Sequence, residues 1–211
     1  MQVTIFGGTG PTGLLVIQKA LSAGHSVTAF VRTPSKITMQ HANLSIITGT
    51  LTDLDKIETA IKDADAVISV LGPTGKSKGL VISNGIKNIL AAMKKYGVNR
   101  LIATATPSYK DSNDKFQFGF AFGIFMVKAL LKDTYKDIVE TGEQIAESQL
   151  DWTIVRLPML SNNVSKGKLN IGYTGDGKVK LFSLTRTDLA DFLIQQLDDK
   201  TYLRQAPVIS N

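Results

Sequence analysis

Near the start of the chain the residues read Gly7-Gly8-Thr9-Gly10-Pro11-Thr12-Gly13. They follow a short apolar run (3–6) and open a stretch (14–21) with helical periodicity. A strand-to-helix junction rich in glycine suits a phosphate. Missing Cβ atoms let the ligand approach the backbone, while the free N–H groups and dipole of the helix N-terminus attract an anion. The run satisfies two registers at once, G-x-G-x-x-G through Gly8, Gly10 and Gly13, and G-x-x-G-x-x-G through Gly7, Gly10 and Gly13. Glycines alone also make a plain tight turn. Here strand, loop and helix agree with a dinucleotide-binding unit, and Pro11 and Thr12 lie inside its cradle.

About twenty residues past such a loop, a carboxylate at the end of the second strand holds the ribose of NAD. This sequence has Phe30-Val31-Arg32-Thr33-Pro34-Ser35-Lys36 there, with no carboxylate. Arg32 takes the expected place, with Ser35 and Lys36 behind it. A guanidinium fork matches a phosphate in shape and charge, so the pattern favours NADP(H), with its 2′-phosphate, over NAD(H). A solvated basic strand end is the other reading of these residues.

The elements that must position these groups alternate regularly. Strands are expected at 3–6, 26–31, 44–47, 66–71 and 101–105. Helices fall between them: 14–21, one capped by Asp53 and carrying Leu54, Ile57, Ile61 and Ala64, and one carrying Ile86, Ile89, Leu90 and Met93 and closed by Gly97. Short, continuously apolar strands alternating with helices predict an α/β fold, a Rossmann-type doubly wound parallel sheet. Ligands of such sheets lie past the carboxyl ends of the strands. That rule nominates Gly49, Thr50 and Leu51 near the adenine and Leu71, Gly72 and Pro73 near the adenine ribose and pyrophosphate. It also nominates Thr104, Ala105 and Thr106 near the nicotinamide ribose, and Leu157, Pro158 and Met159 at the nicotinamide face. Packing alone also places small and apolar residues at strand ends.

The second half is less regular. It predicts a helix over 137–148, a strand over 152–156 ended by Pro158, and a hairpin over 169–184 turning at Gly175-Asp176-Gly177. Thr187 is expected to cap a last helix with Leu189, Phe192, Leu193 and Leu197 on one face, and 207–210 to form a last strand. Phe116, Phe118, Phe120, Phe122 and Phe125 put five of nine phenylalanines within ten residues. This segment reads either as a mobile aromatic lid or as an apolar helix against the core or a dimer surface. No repeat or linker divides the chain, so one domain over 1–211 is expected, with about 160–211 contributing to the substrate side.

The composition excludes much. With no cysteine and two histidines among 211 residues, neither thiol chemistry nor a metal site is expected. At 43% hydrophobic and 20% charged the chain is not disordered. The apolar stretch 116–131, interrupted by Gln117 and Lys128, is short for a membrane span, and no signal peptide is apparent, so the reading is cytoplasmic with no membrane partner. A net charge of +6 suggests an anionic partner, but the basic residues are scattered, so no nucleic-acid partner is expected.

The glycine loop, Val31-Arg32, the run Leu150-Asp151-Trp152-Thr153-Ile154-Val155-Arg156-Leu157-Pro158, Asn88-Ile89-Leu90-Ala91-Ala92-Met93-Lys94, Gly175-Asp176-Gly177 and Thr187-Asp188-Leu189-Ala190-Asp191-Phe192 together resemble the atypical short-chain dehydrogenases, the NmrA-like NAD(P)H-binding proteins. Within that group the chain is most similar to the flavin reductases of the biliverdin reductase B type. The resemblance implies a Rossmann domain with a small C-terminal elaboration and NADPH binding by Gly7, Gly10, Thr12, Gly13 and Arg32. It further implies reduction of a flat conjugated acceptor such as a flavin or quinone. Classical relatives use Tyr-x-x-x-Lys with a strand-five Ser. Here Tyr135 is followed by Val139, and only Thr106 stands where the Ser would be. Flavin or quinone reduction demands less acid–base machinery, since the cofactor carries the hydride and water can give the proton. Thr106 is the catalytic candidate, as a hydrogen-bond donor to the acceptor; a backbone-capping hydroxyl is the alternative. A non-catalytic NADP(H) sensor that binds a protein partner is the competing function.

Overall fold

The computed structural model describes residues 1–73, 79–180 and 184–211. Its main sheet is built from β1 (Gln2–Phe6), β2 (Ser26–Val31), β3 (Leu44–Thr48), β4 (Ala66–Ser69), β5 (Arg100–Ala105), β6 (Asp151–Arg156), β8 (Asn170–Gly172) and β10 (Val208–Ser210). The strand order is β3-β2-β1-β4-β5-β6-β10-β8, parallel throughout except for antiparallel β8. A separate pair joins β7 (Leu160–Ser161) to β9 (Leu184–Thr185) in parallel. The helices are α1 (Pro11–Ser22), α2 (Leu54–Ile61), α3 (Val81–Tyr96), α4 (Phe118–Leu130), α5 (Lys132–Glu147) and α6 (Arg186–Gln195). The fold is the Rossmann-like α/β architecture the alternating pattern predicts.

Side-chain alternation along the strands divides the interior. Ala66 and Ile68 of β4 join α1 and α6 in one apolar cluster, whereas Val67 joins α2 and α3 in the other. Burial on both faces explains why these strands read as continuous apolar runs. The chain winds from β1 outward to β3, returns through α2, and continues from β4 outward through β6. The order therefore reverses between β1 and β4, and a crevice opens at their carboxyl ends.

Several local expectations change. Residues 169–184 do not form a hairpin. β8 pairs with the buried β10 and β9 with β7, so each flank is claimed by a strand distant in sequence; 181–183 lie outside the described residues. The Gly175-Asp176-Gly177 turn instead holds the chain leading into α4: Gly175 N–H donates to Gln117 Oε1 (3.1 Å) and Lys115 N–H to the Thr174 carbonyl (2.8 Å). The cap of α6 is Thr185, whose hydroxyl accepts from Asp188 N–H, while Thr187 lies inside the helix. Asp53 precedes α2, but its carboxylate accepts from Thr50 N–H (2.8 Å) rather than from the helix. β4 ends at Ser69; Val70 N–H still donates to the Phe6 carbonyl (3.0 Å), and 71–73 run on past the sheet edge. Among the described residues no helix is long and apolar enough to cross a membrane.

Candidate functional site

The glycine loop occupies the crevice between β1 and β4. Gly7 has φ +87°, and a Cβ there would stand 2.8 Å from the Val70 carbonyl oxygen. A Cβ on Gly13 would come within 2.7 Å of Gly8 Cα and closer still to Gly7 O, so α1 can start this near the loop only with glycine. Gly10 differs. It is the N-cap of α1, and a Cβ would meet only Gly7 O at 3.5 Å, leaving open space before it. Pro11 is the first helical residue, no side chain caps the helix, and no carboxylate lies in its first turn. The helix end thus keeps its positive character, and Gly10, Pro11, Thr12 and Gly13 fit the phosphates of a dinucleotide.

Register places the basic strand end beside this loop. Phe6 pairs with Phe30, so Arg32 stands two residues beyond that pair, level with the glycines. Arg32 and Lys36 are exposed, and neither pairs with a carboxylate among the described residues. Gly49 N–H donates to the Val31 carbonyl (3.0 Å), bringing Thr50 and Leu51 alongside. Leu51 rests on α3, where its side chain would contact any Cβ on Gly85 and its carbonyl accepts from Asn88 Nδ2 (2.8 Å). The unpaired guanidinium and the anion-ready helix end suit a phosphorylated dinucleotide on observations independent of each other.

Further along the same edge, Leu71, Gly72, Thr104, Thr106 and Leu157 converge on a recess of about 80 Å³. It continues through the shared residues Pro73, Thr106, Ile138 and Leu157 into a cleft of about 510 Å³. Pro158 and Met159 line the cleft from the segment after β6, and Phe120, Phe122, Ile124 and Val127 line it from α4. Among the described residues no ionisable side chain lines it and none comes from 160–211; the walls are apolar apart from Thr106, Ser108 and Thr134. The Thr106 hydroxyl accepts from Ser108 N–H at 3.3 Å and still belongs to both cavity walls, so it can cap backbone and meet a ligand at once. The Tyr135 ring lies outside both cavities and takes Lys128 Nζ at 5.6 Å from its centre.

Three parts of the site lie outside the residues nominated from the sequence. Thr134, Ile138 and Thr141 form one wall from α5, a spacing of four and three that periodicity could have shown. The Thr141 hydroxyl is buried without a hydrogen-bond partner among the described residues. On the same helix, buried Asp137 accepts from Ile82 and Ser83 N–H (2.9 and 2.7 Å), capping α3 from outside. The third part is a buried ion pair. Arg156, fully enclosed at the end of β6, grips Asp114 bidentately at 2.6 and 2.7 Å and donates to the carbonyls of Tyr109 and Ala206. Burial raises the cost of ionising Asp114, but hydrogen bonds from Arg156, from Asp111 N–H and from Thr174 N–H outweigh it, and its pKa falls below the ordinary value. This pair ties the loop after β5, and hence α4, to the sheet. Only the local spacing of Arg156 was visible in the sequence; its partner lies 42 residues away.

Comparison with known proteins agrees with this geometry. A family model described as NAD(P)H-binding matches residues 7–200. The photosystem II assembly factor Ycf39 of Synechocystis sp. is 24% identical, in an alignment covering 100% of this chain and 63% of that protein, so the chain spans less than two thirds of that relative's length. The wide-type short-chain dehydrogenase/reductase of Veillonella parvula, solved in complex with NADP, shares the fold at a TM-score of 0.81 with 18% identity, covering 100% of this chain and 94% of that one. The anaerobillin reductase ChuY of Escherichia coli O157:H7 does so at 0.80 with 18% identity, covering 100% and 97%.

Proposed function

The chain belongs to the NAD(P)H-binding family, and from that premise we propose that it is an NADPH-dependent reductase of a flat conjugated acceptor such as a flavin or quinone. The observation that carries this reading is the apolar cleft between the strand ends and α4, contiguous with the recess at Thr106 and lined by no acid or base among the described residues. Such walls stack and orient a flat acceptor but cannot protonate a carbonyl, which suits an acceptor that is electrophilic already. Gly7, Gly10, Thr12 and Gly13 hold the pyrophosphate, and Arg32, with Lys36 behind it, holds the 2′-phosphate. Thr50 and Leu51 flank the adenine, and Leu71, Gly72 and Thr104 the riboses. Pro158 and Met159 border the nicotinamide face. Bound NADPH supplies a hydride from its nicotinamide C4. Thr106 donates a hydrogen bond to the acceptor, and Phe120, Phe122 and Ile124 keep it flat against the strand ends. The acceptor gains two electrons and one hydrogen as hydride, and its second proton comes from water. The ChuY likeness is one of fold; that protein is described as an anaerobillin reductase.

That no acid or base lines the cleft among the described residues equally favours a second reading, an NADP(H) sensor that binds a protein partner without turnover. Incubation with NADPH and a panel of FMN, riboflavin and a benzoquinone separates the two. Oxidation of NADPH supports the reductase. Tight NADPH binding without oxidation, together with a partner whose capture depends on NADPH, supports the sensor.

A further inference from the structure

α4 is apolar on every side, and such a helix is ordinarily enclosed. Here only Phe120 is buried, pegged beside Val179 and Val208, while Phe118, Phe125 and Leu130 are 75%, 62% and 70% exposed. Phe116 precedes the helix at 83% exposure, and the rings of Phe118 and Phe122 stack at 6.3 Å. An exposed apolar ridge of this kind on a globular fold marks an interaction surface. Its charge is one-sided: from Lys115 to Lys132 the chain carries Lys115, Lys128 and Lys132 and no carboxylate. All three lysines are exposed, and none is in an ion pair with a carboxylate among the described residues.

We propose that this ridge docks the protein on an anionic lipid bilayer, with the phenylalanines and Leu130 entering the acyl boundary and the lysines meeting the headgroups. Phenylalanine and leucine beside lysine on a helix lying in the surface plane is the chemistry of interfacial helices. A second copy of this chain fits less well. A two-fold contact through the same ridge would bring two sets of lysines together with no carboxylate in the segment to answer them. A bound peptide helix needs a groove, and α4 presents a ridge. The expectation of no membrane partner rested on the want of a spanning segment, and an interfacial helix spans nothing. Phe122, Met126, Leu131 and Met159 are exposed on the surface and also line the cleft, so docking would set the cleft mouth at the lipid surface.

The test is co-sedimentation of the full chain, without nucleotide, with vesicles of phosphatidylcholine alone or mixed with phosphatidylglycerol. Omitting NADPH keeps the outcome separate from that of the reductase reading. Binding is expected to the anionic vesicles, to weaken with salt and to be slight on neutral ones. Phe125→Ser/Leu130→Ser and, separately, Lys128→Glu should each weaken it at least about tenfold. These side chains line neither cavity, and an unchanged circular dichroism spectrum and melting curve establish that the variants fold. No binding to the anionic vesicles, or binding that survives both variants, overturns the proposal. So does a wild-type dimer in sedimentation equilibrium that Phe125→Ser/Leu130→Ser converts to monomer, which would make the ridge a self-interface.

Discussion

Replacing Asp114 with Ala leaves the Arg156 guanidinium fully buried with its counter-charge gone. Two charge-assisted hydrogen bonds of 2.6 and 2.7 Å disappear. Asp111 N–H and Thr174 N–H lose their acceptor as well. Breaking a buried pair from one side costs about 3–5 kcal/mol. For a chain of this length that is a fall in melting temperature of about 6–20 °C. Urea denaturation of wild type, Asp114→Ala, Arg156→Met and the double variant measures the coupling. The double variant should be little worse than Asp114→Ala alone, because removing both charges leaves none uncompensated. The pH dependence has a definite sign. Because the folded carboxyl titrates below its ordinary 3.8, its contribution is complete above that value and fades as pH falls through the lower folded one. The gap between wild type and Asp114→Asn should therefore be constant near neutrality and shrink in acid. A cost below about 1 kcal/mol, the range of an exposed pair, or a gap that widens in acid, would refute the role given to this pair.

Other substitutions separate the parts of the site. Gly10→Ala should leave stability within about 1 kcal/mol, since its Cβ has room, yet weaken NADPH binding about tenfold. Gly13→Ala should lower both, with a melting curve shifted by about 1–3 kcal/mol, because helix and loop must part. Arg32→Ala should raise the NADPH dissociation constant about 10–100-fold in calorimetric titration and leave that of NADH nearly unchanged. Thr106→Val should lower acceptor turnover about fivefold with NADPH affinity intact, whereas Tyr135→Phe should change neither.

The alternation of strands and helices, the doubly wound parallel sheet and the place of the glycine run between β1 and α1 were legible because local rules govern them: a βαβ unit has a fixed hand, and a tight strand-to-helix loop needs glycine at fixed places. What escaped the sequence was non-local. The 169–184 hairpin failed because a good turn does not choose a strand's partner; β8 joined β10 on the far side of the sheet. The cap of α6 shifted from Thr187 to Thr185 because Asp188 draws Ser165, Thr185, Lys166 N–H and Gly167 N–H to one carboxylate, fixing where the helix starts. Burial opposes ionisation of Asp188, and those hydrogen bonds more than offset it, so its pKa too is lowered. The phenylalanine cluster could be read as lid or as core. It proved to be a helix with one buried residue, a cleft on one side and open surface on the other, which composition alone cannot distinguish. The loop after β5 shows the same limit, since Asp114 has meaning only beside Arg156.

The proposed reaction is NADPH-dependent reduction of a flat acceptor in the cleft beside Thr106. The most direct measurement is steady-state oxidation of NADPH and of NADH by the purified chain in the presence of FMN or a benzoquinone, followed by the loss of near-ultraviolet absorbance. Saturable oxidation that prefers NADPH and disappears when Phe120→Ala opens the cleft is the predicted result. No oxidation with any acceptor of the panel despite tight NADPH binding, or an equal preference for NADH, would contradict it.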